Sequence, residues 1–495
     1  MIKESNLKWW VFFAASLVLV MTNIDFSAVN LALAPIANDF HTNLSALVWI
    51  INGYSSAAAA FVLIGGRLGD IYGYRKIFAG GVLIFTVSSA LIGCASGAWD
   101  LILFRIIQGA GGSLCWPLCV VMISNAFPEN QKGHAIGMSM AIATIALAMG
   151  PAFGGVLLHY LNWRWIFFIN IPFGILAFVL AFHVIPITTR VSDLSLHLFS
   201  AILIIVSLFM ITTALNEAIQ WGLSSLLFQV IFGGGIVLLG IFIWMQSKIK
   251  NPLVNLNLLK DKTLNICLIL RVFNQITLVS ILFTLSLLFQ NILNYSPLTS
   301  SFLLLPLTLA LSVAAFIGGK LVDKFGSKKL IMLGMSLCLI ALIGFTLNNN
   351  ASILGYILPL IIAGMGIGLN VPSLVTAILR NAAPENRGII GGLNYASIFV
   401  GGGLAMVMSG WILHAQSLIS VDRFVKQFPN SIHLNQIPNL QLILSGAKSI
   451  QFLGVNSFIP FIQQLFIHAF SIVMWVTAAI SALSVILVLR LKKNV

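Results

Sequence analysis

Fourteen apolar segments, each roughly 20 residues or longer, account for most of this 495-residue chain. They run near 9–34, 46–66, 76–96, 100–125, 133–158, 165–186, 195–216, 225–246, 263–290, 298–321, 329–348, 352–379, 388–414 and 460–490. A bilayer core of about 30 Å is crossed by roughly 20 apolar residues in a helix, so each segment is long enough to span. Only 8% of the residues are charged, where a soluble domain carries about 25%. That excludes a soluble globular fold, a disordered chain and nucleic acid as a partner. The five cysteines all lie inside apolar runs without a CxxC pair, so they read as small packing residues rather than a disulfide or zinc framework. Ala32-Leu33-Ala34 mimics a signal-peptide cleavage site, but the apolar region is too long for a signal core and Pro35 follows at once. An uncleaved first helix is the reading.

The basic residues orient the spans. With the N-terminus inside, 20 of the 26 Lys and Arg fall on the cytoplasmic side and four, Arg164, Arg423, Lys426 and Lys448, fall outside. The other two, Arg105 and Arg271, lie within spans. A miscounted span would reverse the later loops and destroy this bias, so both termini are cytoplasmic. Residues 415–459 form one long outer connection, read as a partly interfacial loop with short amphipathic pieces.

An internal repeat divides the chain. Gly66-Arg67-Leu68-Gly69-Asp70-Ile71-Tyr72-Gly73-Tyr74-Arg75-Lys76 follows the second span. Gly319-Lys320-Leu321-Val322-Asp323-Lys324-Phe325-Gly326-Ser327-Lys328-Lys329 follows the tenth. Both read G-x-L-x-D-x-x-G-x-[KR]-K, at equivalent places in two halves. This pattern resembles motif A of the major facilitator superfamily. Arg105-Ile106-Ile107-Gln108-Gly109-Ala110-Gly111-Gly112 resembles its motif B, and Ala146-Leu147-Ala148-Met149-Gly150-Pro151-Ala152-Phe153-Gly154-Gly155 its motif C, the antiporter signature. Ile24-Asp25-Phe26-Ser27-Ala28-Val29-Asn30-Leu31-Ala32-Leu33 is similar to the helix 1 motif of the fourteen-helix drug:proton antiporters, and Trp163-Arg164-Trp165-Ile166-Phe167-Phe168-Ile169-Asn170 is also typical of them. Ala146 replaces the first Gly of motif C, and Pro35 stands one place later than usual.

The resemblance implies an all-α polytopic membrane protein. Two six-helix bundles, residues 1–190 and 251–495, would flank two additional helices in 191–250. In motif A, Gly66 and Gly73, like Gly319 and Gly326, would permit tight turns and close helix approach. Asp70 can accept from a neighbouring helix N-terminus, where the dipole favours negative charge, and Arg75 and Lys76 supply counter-charges. Asp323 and Lys328 take the same places in the second copy. In motif C, Gly150, Pro151, Gly154 and Gly155 would bend helix 5 and let it pack tightly.

Few acids lie within spans. Asp193, before an apolar run, reads as the N-cap of helix 7. Glu217 lies about 31 Å along that helix, near the outer interface, as suited to an exposed position as to a ligand. Asp25 lies roughly 24 Å along helix 1, in the outer third of the bilayer, where a carboxylate is costly and faces a cavity or a partner. Arg105, entering from outside, reaches nearly the same depth. In the resembling fold helices 1 and 4 both line the central cavity, so protonating Asp25 would break a pair with Arg105 and couple transport to protons. A hydrated acid and a static ion pair remain open. Arg271, Asn274 and Gln275 share one face of helix 9 at i, i+3 and i+4, with Arg271 about 12 Å from the cytoplasmic side, within snorkelling reach. Trp49, Asn52 and Tyr54 on helix 2 and Asn370 and Pro372 on helix 12 are cavity-lining or packing candidates.

Together these features predict a proton-coupled exporter of small amphiphilic compounds in the bacterial cytoplasmic membrane. It would use alternating access, with no metal and no cofactor beyond the coupling proton. The absence of a G-x-x-x-x-G-K-[ST] loop disfavours direct ATP drive. In a Gram-negative cell a periplasmic adaptor and an outer-membrane channel would be its partners. A symporter, a dedicated metabolite or siderophore exporter, and a receptor or lipid-active enzyme are the alternatives.

Overall fold

The computed structural model describes residues 4–492 apart from 43, 188–195, 223, 250–251, 349–352, 381, 428–436 and 446–458. Among the described residues fourteen helices are long and apolar enough to cross a membrane, and there is no strand. The N-terminal six are α1 (Glu4–Asp39), α2 (Leu44–Tyr72), α3 (Tyr74–Gly93), α4 (Ala98–Ala126), α5 (Lys132–Tyr160) and α6 (Asn170–Val184), the last preceded by one turn at Trp165–Phe168. Two further helices follow, α7 (Leu198–Trp221) and α8 (Leu226–Gln246). The C-terminal six are α9 (Lys262–Leu287), α10 (Pro297–Phe325), α11 (Ser327–Leu347), α12 (Ile353–Arg380), α13 (Arg387–Gln427) and α14 (Ile459–Leu489). Asp193 and the boundaries placed near 190 and 250 lie in or beside segments outside the described residues.

Several helices outrun their apolar segments. Apolarity reports the thickness of the hydrocarbon, whereas a helix continues wherever its backbone bonds are met. Thus α1 passes through Pro35 to Asp39 rather than ending there, and α2 carries motif A from Gly66 to Tyr72 as its last turns, with Gly73 the break before α3. The long outer connection likewise begins as helix, since α13 continues to Gln427. Its next described piece, a short helix at Ile437–Leu444, buries Leu440, Ile443 and Leu444 in the C-terminal core. That piece is folded onto the protein.

Two helix pairs, α2 with α13 and α5 with α10, join the halves, and glycine makes both approaches possible. A Cβ on Gly66 would strike the Gly388 carbonyl, and one on Gly388 would strike that of Gly66. In the symmetry-related pair, a Cβ on Gly133 would sit 2.8 Å from the Gly319 carbonyl oxygen. Small residues allow such backbone approach where lipid offers helices no hydrophobic reason to associate. α7 lies against α2 and α13, and α8 packs chiefly on α7. The outward face of α8, with Leu226, Val230, Val237 and Trp244 exposed, is left for lipid.

Candidate functional site

The N-terminal bundle holds a closed polar network around Asp25. The motif B glycines set its geometry: a Cβ on Gly109 would strike the Tyr54 carbonyl, so α4 and α2 lie close enough to bring Arg105 beneath the Tyr54 ring. The guanidinium carbon is 4.2 Å from that ring's centroid. Arg105 Nη1 lies 2.6 Å from Asp25 Oδ2, and both side chains are 0% exposed. The same Nη1 donates to Gln108 Oε1 at 2.6 Å, and Nε donates to the Ile50 carbonyl at 3.2 Å. Asp25 Oδ1 accepts from Asn170 Nδ2 at 2.8 Å and from Gln108 Nε2 at 3.3 Å. Gln108 also donates to Ser89 Oγ at 2.6 Å. Three helices, α1, α4 and α6, therefore meet at one carboxylate, and α3 joins them through Ser89.

This placement corrects the expected location. The pair lies inside the N-terminal bundle, turned toward α3 and α6, rather than on the wall of a cavity between the halves. Asn170 and Gln108 stand in the very motifs quoted above yet carry no role there. Their signal was available, as amide side chains within apolar runs that need partners in a bilayer. Tyr54 faces the other way, 6.0 Å from the Phe26 ring and 6.4 Å from Trp116. Trp116 in turn stacks on Tyr395 and Phe399 of the opposite half, at 6.1 and 5.9 Å.

The repeated motif forms two matching contacts at the cytoplasmic end. Asp70 accepts from the Gly388 and Ile389 amides at the start of α13, at 2.7 and 2.8 Å. Asp323 accepts from the Gly133 and His134 amides at the start of α5, both at 2.8 Å. Each half thus lends an acid to a helix N-terminus of the other, where free N–H groups and the dipole favour an anion. Gly73 and Gly326 take φ of 91° and 81°, which lets the chain reverse directly after each acid-bearing helix. The basic residues differ from expectation. Arg75 lies 4.9 Å over the Phe182 ring and Lys76 is exposed, while buried Arg67 is the cation acting on Asp70. Lys328 donates to the Leu489 and Leu491 carbonyls at the end of α14 rather than serving Asp323. Asp70 is buried and accepts a further bond from Tyr74 at 3.1 Å, whereas Asp323 is only half-buried. Asp323→Asn is therefore expected to slow transport several-fold less than the same change at Asp70, compared at equal abundance in proteoliposomes.

The remaining candidates are dispersed. On α5, a Cβ on Gly150 would strike Ser27 of α1 and one on Gly154 would sit 3.0 Å from Ala28. Gly155 has open space, and the helix continues unbroken through Pro151, so Gly155 takes no part in the α1 contact. Trp49 packs in the outer core of the N-terminal bundle. Asn274, buried, accepts from Asn370 inside the C-terminal bundle at 3.0 Å. Gln275 is half-buried facing Gly401, and Arg271 is buried rather than snorkelling. Glu217 departs furthest from expectation. It is 1% exposed and accepts from Asn52 Nδ2 at 2.8 Å, because α2 and α13 cover the end of α7 that helix arithmetic left at the interface. Asn52 is half-buried, and an amide left without its acceptor there costs up to about 1–3 kcal/mol. Glu217→Leu is therefore expected to lower the thermal midpoint and Glu217→Gln to preserve it. Equal damage from both would instead assign Glu217 a role that needs its charge.

Two bundles related by an internal repeat, joined through reciprocal contacts and holding a buried ion pair, are the architecture of a membrane transporter. The Major Facilitator Superfamily model matches residues 15–406, and the chain belongs to that superfamily. It is 28% identical to the tetracenomycin C resistance and export protein of Streptomyces glaucescens, over 82% of this chain and 76% of that protein. It is 30% identical to the riboflavin transporter RibZ of Clostridioides difficile, over 77% of this chain and 83% of that protein. The proton:xylose symporter XylE shares the fold, with a TM-score of 0.58 and 13% identity over 95% of this chain and 96% of that one. The protein is a multi-pass membrane transporter and not an enzyme.

Proposed function

We propose that this transporter exports small amphiphilic compounds across the bacterial cytoplasmic membrane in exchange for protons. The observation that carries the reading is the Asp25–Arg105 pair, fully buried at 2.6 Å and wired to three other side chains. A carboxylate in this setting is stable while its cation stays paired, and protonation removes the attraction. Arg105 then relaxes toward Gln108, the Ile50 carbonyl and the Tyr54 ring, contacts that do not need the acid. Tyr54 touches Trp116, and Trp116 stacks on Tyr395 and Phe399, so a shift at the pair reaches the surface where the halves meet.

The reciprocal contacts of Asp70 and Asp323 hold the cytoplasmic side closed, and releasing them opens the path from inside. The helix 5 motif and similarity to resistance and export proteins support export by antiport. Movement of one metabolite is the second reading, favoured by the likeness to a riboflavin transporter. Purified protein in proteoliposomes tests both. An imposed pH gradient should drive accumulation of chemically diverse amphiphiles, with proton movement opposite to cargo. Proton movement in the same direction as cargo overturns antiport, and accumulation of one compound alone favours the second reading.

A further inference from the structure

Two of the arginines buried in spanning helices, Arg105 and Arg271, are treated very differently by the fold. Arg105 has a carboxylate, an amide oxygen and a backbone carbonyl as acceptors. Arg271, on α9, is 5% exposed, and its Nε and Nη1 are buried without a hydrogen-bond partner. None of the ion pairs among the described residues includes it. One turn further along α9, Asn274 spends its oxygen on Asn370 and leaves its buried Nδ2 donor unpartnered as well. Tyr395 on α13 is the titratable neighbour of Arg271, and it is a phenol rather than a carboxylate. A buried cation without an anion is costly enough that its acceptors are normally built in beside it.

Depth places this cluster where cargo would pass. Arg271 is nine residues into α9, about 13 Å from its cytoplasmic start. Tyr395 is eight residues into α13, about 12 Å, and Trp116 ten residues before the end of α4, about 15 Å. All three sit near the middle of a roughly 30 Å core, and Trp116 and Tyr395 stack across the contact between the halves, where transporters of this architecture bind cargo.

We infer that Arg271 and Asn274 bind an anionic group of the cargo, a carboxylate or its equivalent, while Trp116, Tyr395 and Phe399 receive an attached aromatic body. This rests on the export reading and adds a charge to its cargo: an anionic or zwitterionic aromatic amphiphile, with Arg105 already neutralised and unavailable. Guanidinium presents fixed donors to a carboxylate, and hydrogen bonds to a charged group are the strong ones.

The test uses pyrenebutyrate, its methyl ester and a pyrenyl trimethylammonium salt, which share one aromatic body. Binding is read as energy transfer from tryptophan to pyrene with the full-length protein in nanodiscs. Wild type is expected to bind the carboxylate at least about tenfold more tightly than the ester, and Arg271→Gln to erase that difference while leaving the ester unchanged. Arg271→Lys, which keeps the charge, should retain a carboxylate preference. Equal binding of all three probes by wild type, preference for the ammonium, or parallel loss of every probe in Arg271→Gln overturns the inference. So does competition by chloride, tested by exchange for gluconate, since that marks an inorganic anion site. Export is scored separately by pH-driven uptake. Carboxylate-selective binding without driven uptake removes the export reading alone, and driven uptake indifferent to charge removes the anion site alone.

Discussion

Asp25→Asn is expected to abolish pH-driven accumulation of cargo while leaving counterflow exchange of a neutral cargo intact. Asparagine matches aspartate in size and still offers an oxygen to Asn170 and Gln108, and Arg105, though it loses its anion, keeps Gln108, the Ile50 carbonyl and the Tyr54 ring; what asparagine cannot do is exchange a proton. The gradient-dependent component should fall to the rate seen without a gradient. Exchange without a gradient doubles as the control for folding, because it needs cargo binding and rocking but no net proton movement. Arg105→Ala should do different damage. It strands a carboxylate that is 0% exposed, and breaking a buried pair from one side typically costs about 3–5 kcal/mol. Loss of folded protein should therefore precede any selective loss of coupling. Normal driven accumulation by Asp25→Asn would remove this acid from the mechanism. It would also turn attention to Glu217, buried on α7.

The second large effect is expected at the cytoplasmic contact. Asp70 receives two backbone amides of the opposite half and the Tyr74 hydroxyl, at 2.7, 2.8 and 3.1 Å. In Asp70→Asn one oxygen becomes an NH2 group facing a donor, and the charge that favours the α13 N-terminus is gone. Hydrogen bonds to charged groups contribute about 1.5–3 kcal/mol. A loss of about 2 kcal/mol from the closed state alone shifts its balance with the inward-open state about thirtyfold. Spin labels on the cytoplasmic ends of α2 and α13 should report longer distances, and transport should slow strongly at wild-type abundance. Unchanged distances together with a normal rate would show that this contact does not hold the gate. The symmetry of the structure adds a check that motif spacing could not supply. Asp323 makes the corresponding pair of bonds to α5, so the double variant should open further than either single one.

Span number and the twofold repeat were legible in the sequence because each answers a one-dimensional constraint. Hydrocarbon thickness sets segment length, and duplication leaves its spacing. The acceptor role of Asp70 was legible for a similar reason: a lone acid closing a helix-end motif needs donors, and helix N-termini have them to spare. What failed was anything that depended on which neighbour covers a side chain. Glu217 looks interfacial by its distance along α7, yet α2 and α13 close over it. Arg75 and Lys76 look like the counter-charges of Asp70, yet buried Arg67 is the cation acting on it, Arg75 turns to Phe182 and Lys76 is exposed. Asp25 and Arg105 share a depth on paper, but only packing of α1, α3, α4 and α6 decides that the pair faces the bundle interior, with Asn170, Gln108 and Ser89 around it. The unmet donors of Arg271 and Asn274 belong to the same class. A chain's polar pattern states which groups need partners in a bilayer; only the tertiary arrangement decides which of them receive one from the protein, because partners come from helices remote in sequence.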